Sequence, residues 1–340
     1  MHLGSRVAVR KVDAFAHILP RGYLDKLERH LETSLAGEQL RYYREGVFRF
    51  SDALTDLDAR WRAIEPLSDY TQVLVLAVPP IEEVGAPEVA ADFARLANDE
   101  MAELVVKHRD RFVGFAAALP LNDVEASLRE MDRACRDLGA LGVQVFSNVQ
   151  GVPLDDPRFA PLFTRVEELE RTAWLHPTRS ATFADYPSER RSDYGLWWSL
   201  GWPYETAAAL ARLVYSGVVE RHPRLRVIAH HGAGMVPHFS ARLGMGPGFR
   251  QVQDDLPRPP LEYFKRFYAD TALFGAPHAV RCVLDFFGPD HVLFGTDMPL
   301  GPPESVEATI KDVDSCDLVE SERAAVYAGT AIRLLGISLA

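Results

Sequence analysis

Eight short apolar runs separated by helix-like segments constrain the fold of this 340-residue chain more than any other feature. The runs have the length of buried strands. They lie at residues 7–17, 72–77, 112–117, 142–146, 173–176, 227–231, 267–273 and 292–297. Helices are predicted between them and after the last one, at residues 87–108, 123–138, 156–170, 204–220, 235–250, 276–287, 304–314 and 321–335.

Strands that alternate with helices form parallel sheets through right-handed crossovers. Eight such units predict a closed (β/α)8 barrel, the TIM-barrel fold, as a single domain over residues 1–340. An open doubly wound sheet is the alternative, although no GxGxxG motif follows the first strand.

Two stretches are too long for the connections of a bare barrel. Residues 37–70 are rich in aromatic side chains and contain a short strand-like pattern at residues 46–50. Residues 178–203 form a long connection that carries Trp197 and Trp198. Connections of this length are often lids or binding loops, so we expect both above the face where the strands end.

Composition limits the class of partner. The net charge of −11 argues against nucleic acid or an anionic membrane surface. No apolar run approaches the roughly 18–20 residues of a membrane span, and no signal-peptide core follows the N-terminus. Three scattered cysteines form no zinc or disulfide pattern, which favours a reducing cytoplasm.

Four predicted strands end in side chains that bind metals or move protons. These are His17, His176, the pair His230 and His231, and Asp297. The strand ends of a barrel meet on one face, so we expect these groups to converge. Imidazole and carboxylate suit Zn, Mn or another divalent first-row ion. Taken one at a time, His17 can equally be a capping or core residue, Asp297 a turn residue, and His231 a partner of a backbone carbonyl.

Three segments together resemble the amidohydrolase superfamily, in particular its branch of aminocarboxymuconate-semialdehyde and γ-resorcylate decarboxylases. The segments are residues 201–206 (GWPYET), 218–237 (VVERHPRLRVIAHHGAGMVP) and 292–301 (VLFGTDMPLG). The resemblance implies a (β/α)8 barrel with a small inserted hairpin, one divalent metal, and non-oxidative cleavage of a C–C or C–N bond. It further implies a homodimer.

The resemblance also implies roles for individual residues. His17, His176 and Asp297 match metal ligands. His231 matches an acid/base histidine near the metal, and Arg242 matches an arginine that holds a substrate carboxylate.

One position departs from the family pattern, because Phe15 stands where the first histidine of His-x-His is expected. Phenylalanine cannot bind a metal, so the site has at most three of the usual ligands, and His230 is the nearest substitute. Three protein ligands and a water can hold a catalytic metal.

Three hypotheses follow. The first is a metal-assisted decarboxylase or hydrolase of a small carboxylated aromatic or muconate-like compound, with Zn or Mn as cofactor and His231 and Asp297 as catalytic residues. The second is a metal-independent enzyme on the same barrel, and the third is a non-catalytic binding protein. The predicted substrate contacts are Phe15, Trp197, Trp198, His230, Arg242, Phe274 and Met298.

Overall fold

The computed structural model describes residues 10–34, 37–67, 69–245, 256–302 and 304–338. Eight parallel strands form one sheet, in which each strand pairs with the next one along the chain. The strands are β1 (Lys11–Ile18), β2 (Tyr70–Leu76), β3 (Phe112–Ala117), β4 (Gly142–Phe146), β5 (Thr172–His176), β6 (Arg226–Ala229), β7 (Tyr268–Asp270) and β8 (Val292–Leu293). All eight predicted strands are present, and residues 7–9 of the first prediction lie outside the described residues.

The sheet closes between its first and last strands. The backbone N–H of Ala14 donates to the carbonyl of Phe294 at 2.8 Å, and that of Asp297 donates to Phe15 at 3.1 Å. The N–H of His17 donates to the carbonyl of Met298 at 2.6 Å. The predicted (β/α)8 barrel is therefore confirmed, and the open doubly wound sheet is excluded.

Helices surround the barrel, and none in the described part of the chain is long and apolar enough to cross a bilayer. The α-helices are Arg21–Ser34, Gly37–Arg41, Leu57–Ile64, Ile81–Val84, Pro87–Lys107, Val124–Arg136, Ala160–Glu168, Leu196–Ser199, Gly201–Tyr215, Val218–Arg221, Ser240–Gly244, Pro260–Phe264, Pro277–Phe287, Ser305–Asp314, Glu320–Ala324 and Thr330–Leu335. Two π-helical segments, Tyr42–Gly46 and Ala325–Gly329, and the 3₁₀ turns Val47–Arg49, Asp52–Leu54 and Pro157–Phe159 complete them.

The helix predicted over 235–250 is largely wrong in the described residues, where only Ser240–Gly244 is helical. The chain first makes a turn, in which His231, Gly232, Ala233 and Gly234 all have positive φ. Left-handed backbone cannot continue into a right-handed helix, so the helix starts late. Residues 246–250 of the prediction lie outside the described residues.

The insertion between β1 and β2 is helical rather than a hairpin. The strand-like pattern at residues 46–50 forms the end of a π-helical segment and a 3₁₀ turn, so that prediction is wrong. A strand would place Phe48 and Phe50 on the same face, but Phe48 is buried and Phe50 is 55% exposed. A two-residue ribbon occurs elsewhere, between Asn148–Val149 and Val152–Pro153.

The barrel interior is a packed core that supports the site from below. Trp174 fills its centre, fully buried, and its indole N–H donates to the carbonyl of Ala14 at 2.9 Å. Phe15 belongs to the same apolar cluster. The larger cluster lies between the sheet and the outer helices.

Candidate active site

A buried cluster of four histidines and one aspartate lies where the strands end. The ring of His17 on β1 lies 5.2 Å from that of His176 on β5 and 5.8 Å from that of His230 after β6, centre to centre. His231 follows His230, and Asp297 follows β8. The structure thus brings together the five groups that the sequence placed at strand ends.

Asp297 joins three of the four histidines. Its Oδ1 lies 3.1 Å from Nε2 of His17 and 3.2 Å from Nε2 of His230, and its Oδ2 lies 3.6 Å from Nε2 of His231. Burial alone would raise the pKa of Asp297, but the histidine contacts outweigh burial and hold that pKa well below its usual value. Asp297 is therefore ionised at neutral pH.

His230 lies between two carboxylates. Its Nδ1 is hydrogen-bonded to Asp270, and its Nε2 faces Asp297. Burial lowers the pKa of His230, but Asp270 and Asp297 together raise it to about 9. Asp270 also accepts hydrogen bonds from the backbone N–H groups of Gly232 and Ala272. Asp270 was not among the predicted site residues, although it ends β7 as the other polar groups end or follow their strands.

The other two ligand candidates have ring nitrogens available. Nδ1 of His176 lies 2.6 Å from the carbonyl of Pro177. A carbonyl only accepts hydrogen bonds, so Nδ1 carries the proton and Nε2 keeps a free lone pair. Neither ring nitrogen of His17 has a hydrogen-bond partner among the described residues, and its contact with Asp297 is one of distance only. Buried unpartnered nitrogens of this kind fit metal ligands.

The pKa of both His176 and His231 is lowered, first by burial and then by neighbouring histidines. The two imidazoles are therefore neutral at pH 7, which is the form that binds metals or accepts protons.

Phe15 occupies the space where a further ligand would stand. Its ring stacks on that of His230, with centres 3.7 Å apart and planes 11° apart, and it is fully buried. The rings of His17 and His176 lie 5.4 and 6.1 Å away. Phe15 is thus an internal packing partner of the cluster rather than an open pocket wall.

The donor atoms fit a divalent ion despite Phe15. His17, His176 and His230 each present a ring nitrogen within 4.8 Å of the others, and His230, His231 and Asp297 form a second such group. His230 belongs to both groups, so the two groups adjoin each other. Imidazole and carboxylate donors are those that Zn and Mn accept.

A cavity of about 440 Å³ adjoins the cluster. Trp202 connects the two, because its ring lines the cavity and lies 5.3 Å from that of His176 and 6.2 Å from that of His231. The cavity is lined by Tyr42, Tyr43, Val78, Pro80, Glu83, Thr178, Arg179, Ser180, Ala181, Thr182, Arg190, Arg191, Trp197 and Trp202. The insertion and the long connection therefore both contribute walls to this cavity.

Of the remaining predicted substrate contacts, some lie at the cavity or the cluster and two lie away from both. Trp197 lines the cavity, and the ring of Phe274 lies 5.8 Å from that of His231. Met298 is buried, and its sulfur accepts a hydrogen bond from Gln72. Trp198 is 47% exposed, Arg242 is exposed on Ser240–Gly244, and neither lines the cavity. Trp202, the second residue of the helix Gly201–Tyr215, lines the cavity instead of Trp198.

Comparison with known proteins identifies the family. The amidohydrolase family pattern matches residues 24–337. The chain belongs to the amidohydrolase family. The 2-amino-3-carboxymuconate-6-semialdehyde decarboxylase of Dictyostelium discoideum is 28% identical to this amidohydrolase over 96% of the chain and 92% of the relative. The γ-resorcylate decarboxylase of Rhizobium sp. (strain MTP-10005) is 30% identical over 86% and 90%.

A solved structure has the same fold. The dihydroxybenzoic acid decarboxylase from Polaromonas sp. JS666, which contains bound manganese and the inhibitor 2-nitroresorcinol, is 24% identical to this amidohydrolase. It matches 96% of this chain and 97% of its own, with a TM-score of 0.77. The family and barrel expected from the motifs are therefore confirmed.

Proposed function

We propose that this amidohydrolase is a metal-assisted, non-oxidative decarboxylase of a small carboxylated aromatic acid. The observation that carries the proposal is a buried His/Asp cluster joined by Trp202 to an aromatic-lined cavity. The two named relatives are both decarboxylases of small carboxylated compounds, which supports the same reaction.

His17, His176, His230 and Asp297 are the residues that would hold the metal. His230 would take the place left by Phe15, since its ring stacks on Phe15 and its Nε2 faces Asp297. Its raised pKa means that it would have to release the Nε2 proton when the metal binds. A bound divalent ion supplies positive charge that orients and partly neutralises a substrate carboxylate or hydroxyl. Manganese in the Polaromonas structure favours Mn, and the imidazole donors equally suit Zn.

Decarboxylation replaces a carboxylate on the ring with a proton. The C–C bond to the carboxyl group breaks, CO2 leaves, and the electron pair left on the ring carbon takes up a proton. His231 is the proposed proton donor, because its ring lies 6.2 Å from that of the cavity residue Trp202 and its Nε2 lies 3.6 Å from Asp297. His231 is neutral in the resting protein, so it would first take up a proton from solvent. The ionised Asp297 stabilises the protonated form, and the lowered pKa makes that form an acid strong enough to protonate carbon.

The cavity would bind the aromatic ring. Trp197 and Trp202 contact each other edge to face, and Tyr42 packs on Trp197. These rings offer apolar faces to a planar substrate, and a cavity of about 440 Å³ is the size of a small-ligand site.

The decisive experiment measures CO2 release from a panel of carboxylated phenols by protein of known metal content. His231→Ala should lower kcat by about 10²–10⁴-fold while the fold is retained. The exposed His238 provides the matched control, and His238→Ala should keep wild-type kcat. Release of CO2 at the wild-type rate by His231→Ala would remove His231 from the mechanism.

Three alternatives have distinct signatures in the same assay. A hydrolase would cleave lactones in the panel without releasing CO2. A metal-independent enzyme would keep its turnover after metal removal, and a binding protein would turn over nothing. The homodimer and the cytoplasmic location stay predictions from the sequence.

A further inference from the structure

Arginine side chains from the long connection line the cavity on the side that the mechanism above does not use. Arg179, Arg190 and Arg191 are lining residues, and Glu83 is the one acidic residue among the described lining residues. The chain as a whole carries a net charge of −11, so the positive charge at this cavity edge is opposite in sign to the net charge of the protein.

Arg179 is held in a defined position. Its Nη1 lies 3.2 Å from Oε1 of Glu205, and its guanidinium lies 5.4 Å from the ring centre of Phe183. Its aliphatic part passes over Gly201, where a Cβ would come within 2.5 Å of its Cδ. The Nε of Arg179 is buried and lacks a hydrogen-bond partner among the described residues. Arg179 is therefore held beside the cavity by Glu205, Phe183 and Gly201, and its side chain stays 20% exposed.

Arg190 differs from Arg179 in being exposed and having no ion-pair partner in the part of the chain that the structure describes. An arginine without a partner at the mouth of a cavity retains its whole planar fork for a ligand. The fork matches a carboxylate through two parallel hydrogen bonds.

We propose that the Arg179–Arg190 edge of the cavity binds a second anionic substituent, so that the preferred substrate is an aromatic dicarboxylate. The proposal rests on the proposed function: one carboxylate faces the histidine cluster and is lost as CO2, and the other stays on the ring at the arginine edge. The aromatic rings of Trp197 and Trp202 line the same cavity and would hold the substrate ring. Arg179 and Arg190 then determine specificity and take no part in bond cleavage.

The test is equilibrium binding of benzene-1,3-dicarboxylate and of benzoate to the metal-loaded protein, followed by tryptophan fluorescence and calorimetry. Wild type should bind the dicarboxylate about tenfold more tightly than benzoate, the effect of one partly solvated charged contact. Arg190→Gln should abolish most of this preference and leave benzoate affinity unchanged. Arg179→Lys should reduce the preference as well, because a lysine lacks the fork.

Arg109→Gln is the matched control, because Arg109 is exposed just before β3, at the opposite end of the barrel from the site. It makes the same change of charge and should keep the wild-type preference. Equal affinity of wild type for the two acids would overturn the proposal, and so would an Arg190→Gln variant that keeps the preference.

Binding and turnover separate this proposal from the proposed function. An Arg190-dependent preference in a protein that releases no CO2 supports the arginine edge and contradicts the decarboxylase. Release of CO2 from monocarboxylates without any Arg190-dependent preference supports the decarboxylase and contradicts the arginine edge.

Discussion

At the scale of the residue, Phe15 determines the character of the site. Its ring lies flat against that of His230, whose Nδ1 is hydrogen-bonded to Asp270. A histidine that is stacked and hydrogen-bonded in this way has a fixed ring plane, with Nε2 directed at Asp297. Position 15 thus lacks a metal ligand, and the well-ordered His230 beside it is the candidate substitute.

Replacing Phe15 with histidine should strengthen metal binding. Residues 15 and 17 project from the same side of β1, and their rings are 5.4 Å apart, so a new imidazole would join the existing donors. We expect Phe15→His to bind Zn or Mn at least about tenfold more tightly, since each added ligand contributes to affinity. Calorimetric titration of metal-free protein measures this, with the exposed Phe50→His as control. Absence of metal binding in both wild type and Phe15→His would show that these donors form no metal site.

A second residue-scale prediction concerns Glu82. The side chain is buried, neither carboxylate oxygen has a hydrogen-bond partner among the described residues, and burial raises its pKa from 4.5 to about 8. The folded state therefore keeps the proton that the unfolded state releases near pH 4.5. The contribution of Glu82 to the free energy of unfolding is fully present below pH 4.5. It is lost as the pH rises to about 8, and the free energy of unfolding falls by at most roughly 1.4 kcal/mol per pH unit.

Glu82→Gln removes the titrating carboxyl group, so the stability of the variant should depend less on pH. We expect the variant to have a higher Tm than wild type at pH 8.5 and a similar Tm at pH 5. Thermal denaturation across this pH range measures the difference, and Glu88→Gln, on an exposed helix start, should follow wild type. Parallel Tm curves for wild type and Glu82→Gln would contradict the assignment.

At the scale of the element, the helix Leu57–Ile64 links the insertion to the active-site strand β1. Asp56 caps this helix by accepting from the backbone N–H groups of Asp58 and Ala59. Its Arg60 is fully buried and donates to the backbone carbonyl of His17 at 2.8 Å and to the side chain of Gln72 at 2.8 Å. Burial lowers the pKa of Arg60 to about 10, so it stays charged at neutral pH.

Removing the guanidinium would leave buried acceptors without donors. Arg60→Met should therefore lower the free energy of unfolding by about 3 kcal/mol, and Arg60→Lys by less. Urea denaturation measures this, and Arg62→Met is the control, because Arg62 lies on the same helix and is exposed. Equal stability of the two methionine variants would mean that the hydrogen bonds to His17 and Gln72 contribute nothing net.

At the scale of the whole molecule, the candidate ligands come from distant parts of the barrel. His17 is on β1, His176 on β5, His230 follows β6, and Asp297 follows β8. A metal bound by such a set binds only the folded chain, so metal should stabilise the protein.

Metal loading should raise the Tm of wild type, by an amount equivalent to about 2.7 kcal/mol when free metal exceeds its Kd a hundredfold. A chelator should reverse the shift. His176→Ala should lose most of it, and His238→Ala should keep it, because His238 is exposed and outside the cluster. An equal metal-induced shift in both variants would assign the stabilisation to another site.

The sequence by itself determined the barrel and the five groups at its strand ends. Strand periodicity and the alternation with helices are local properties, and parallel strands necessarily bring their ends to one face. His17, His176, His230, His231 and Asp297 could therefore be predicted together.

Only the tertiary structure decided how these groups contact each other and what surrounds them. The pairing of His230 with Asp270, the stack on Phe15 and the link from Arg60 to His17 join residues between 40 and 215 positions apart. Tertiary structure also decided three features that the sequence did not predict. The insertion is helical, Trp202 rather than Trp198 lines the cavity, and Arg242 lies outside it. Such contacts depend on barrel closure and loop packing, which local patterns do not encode.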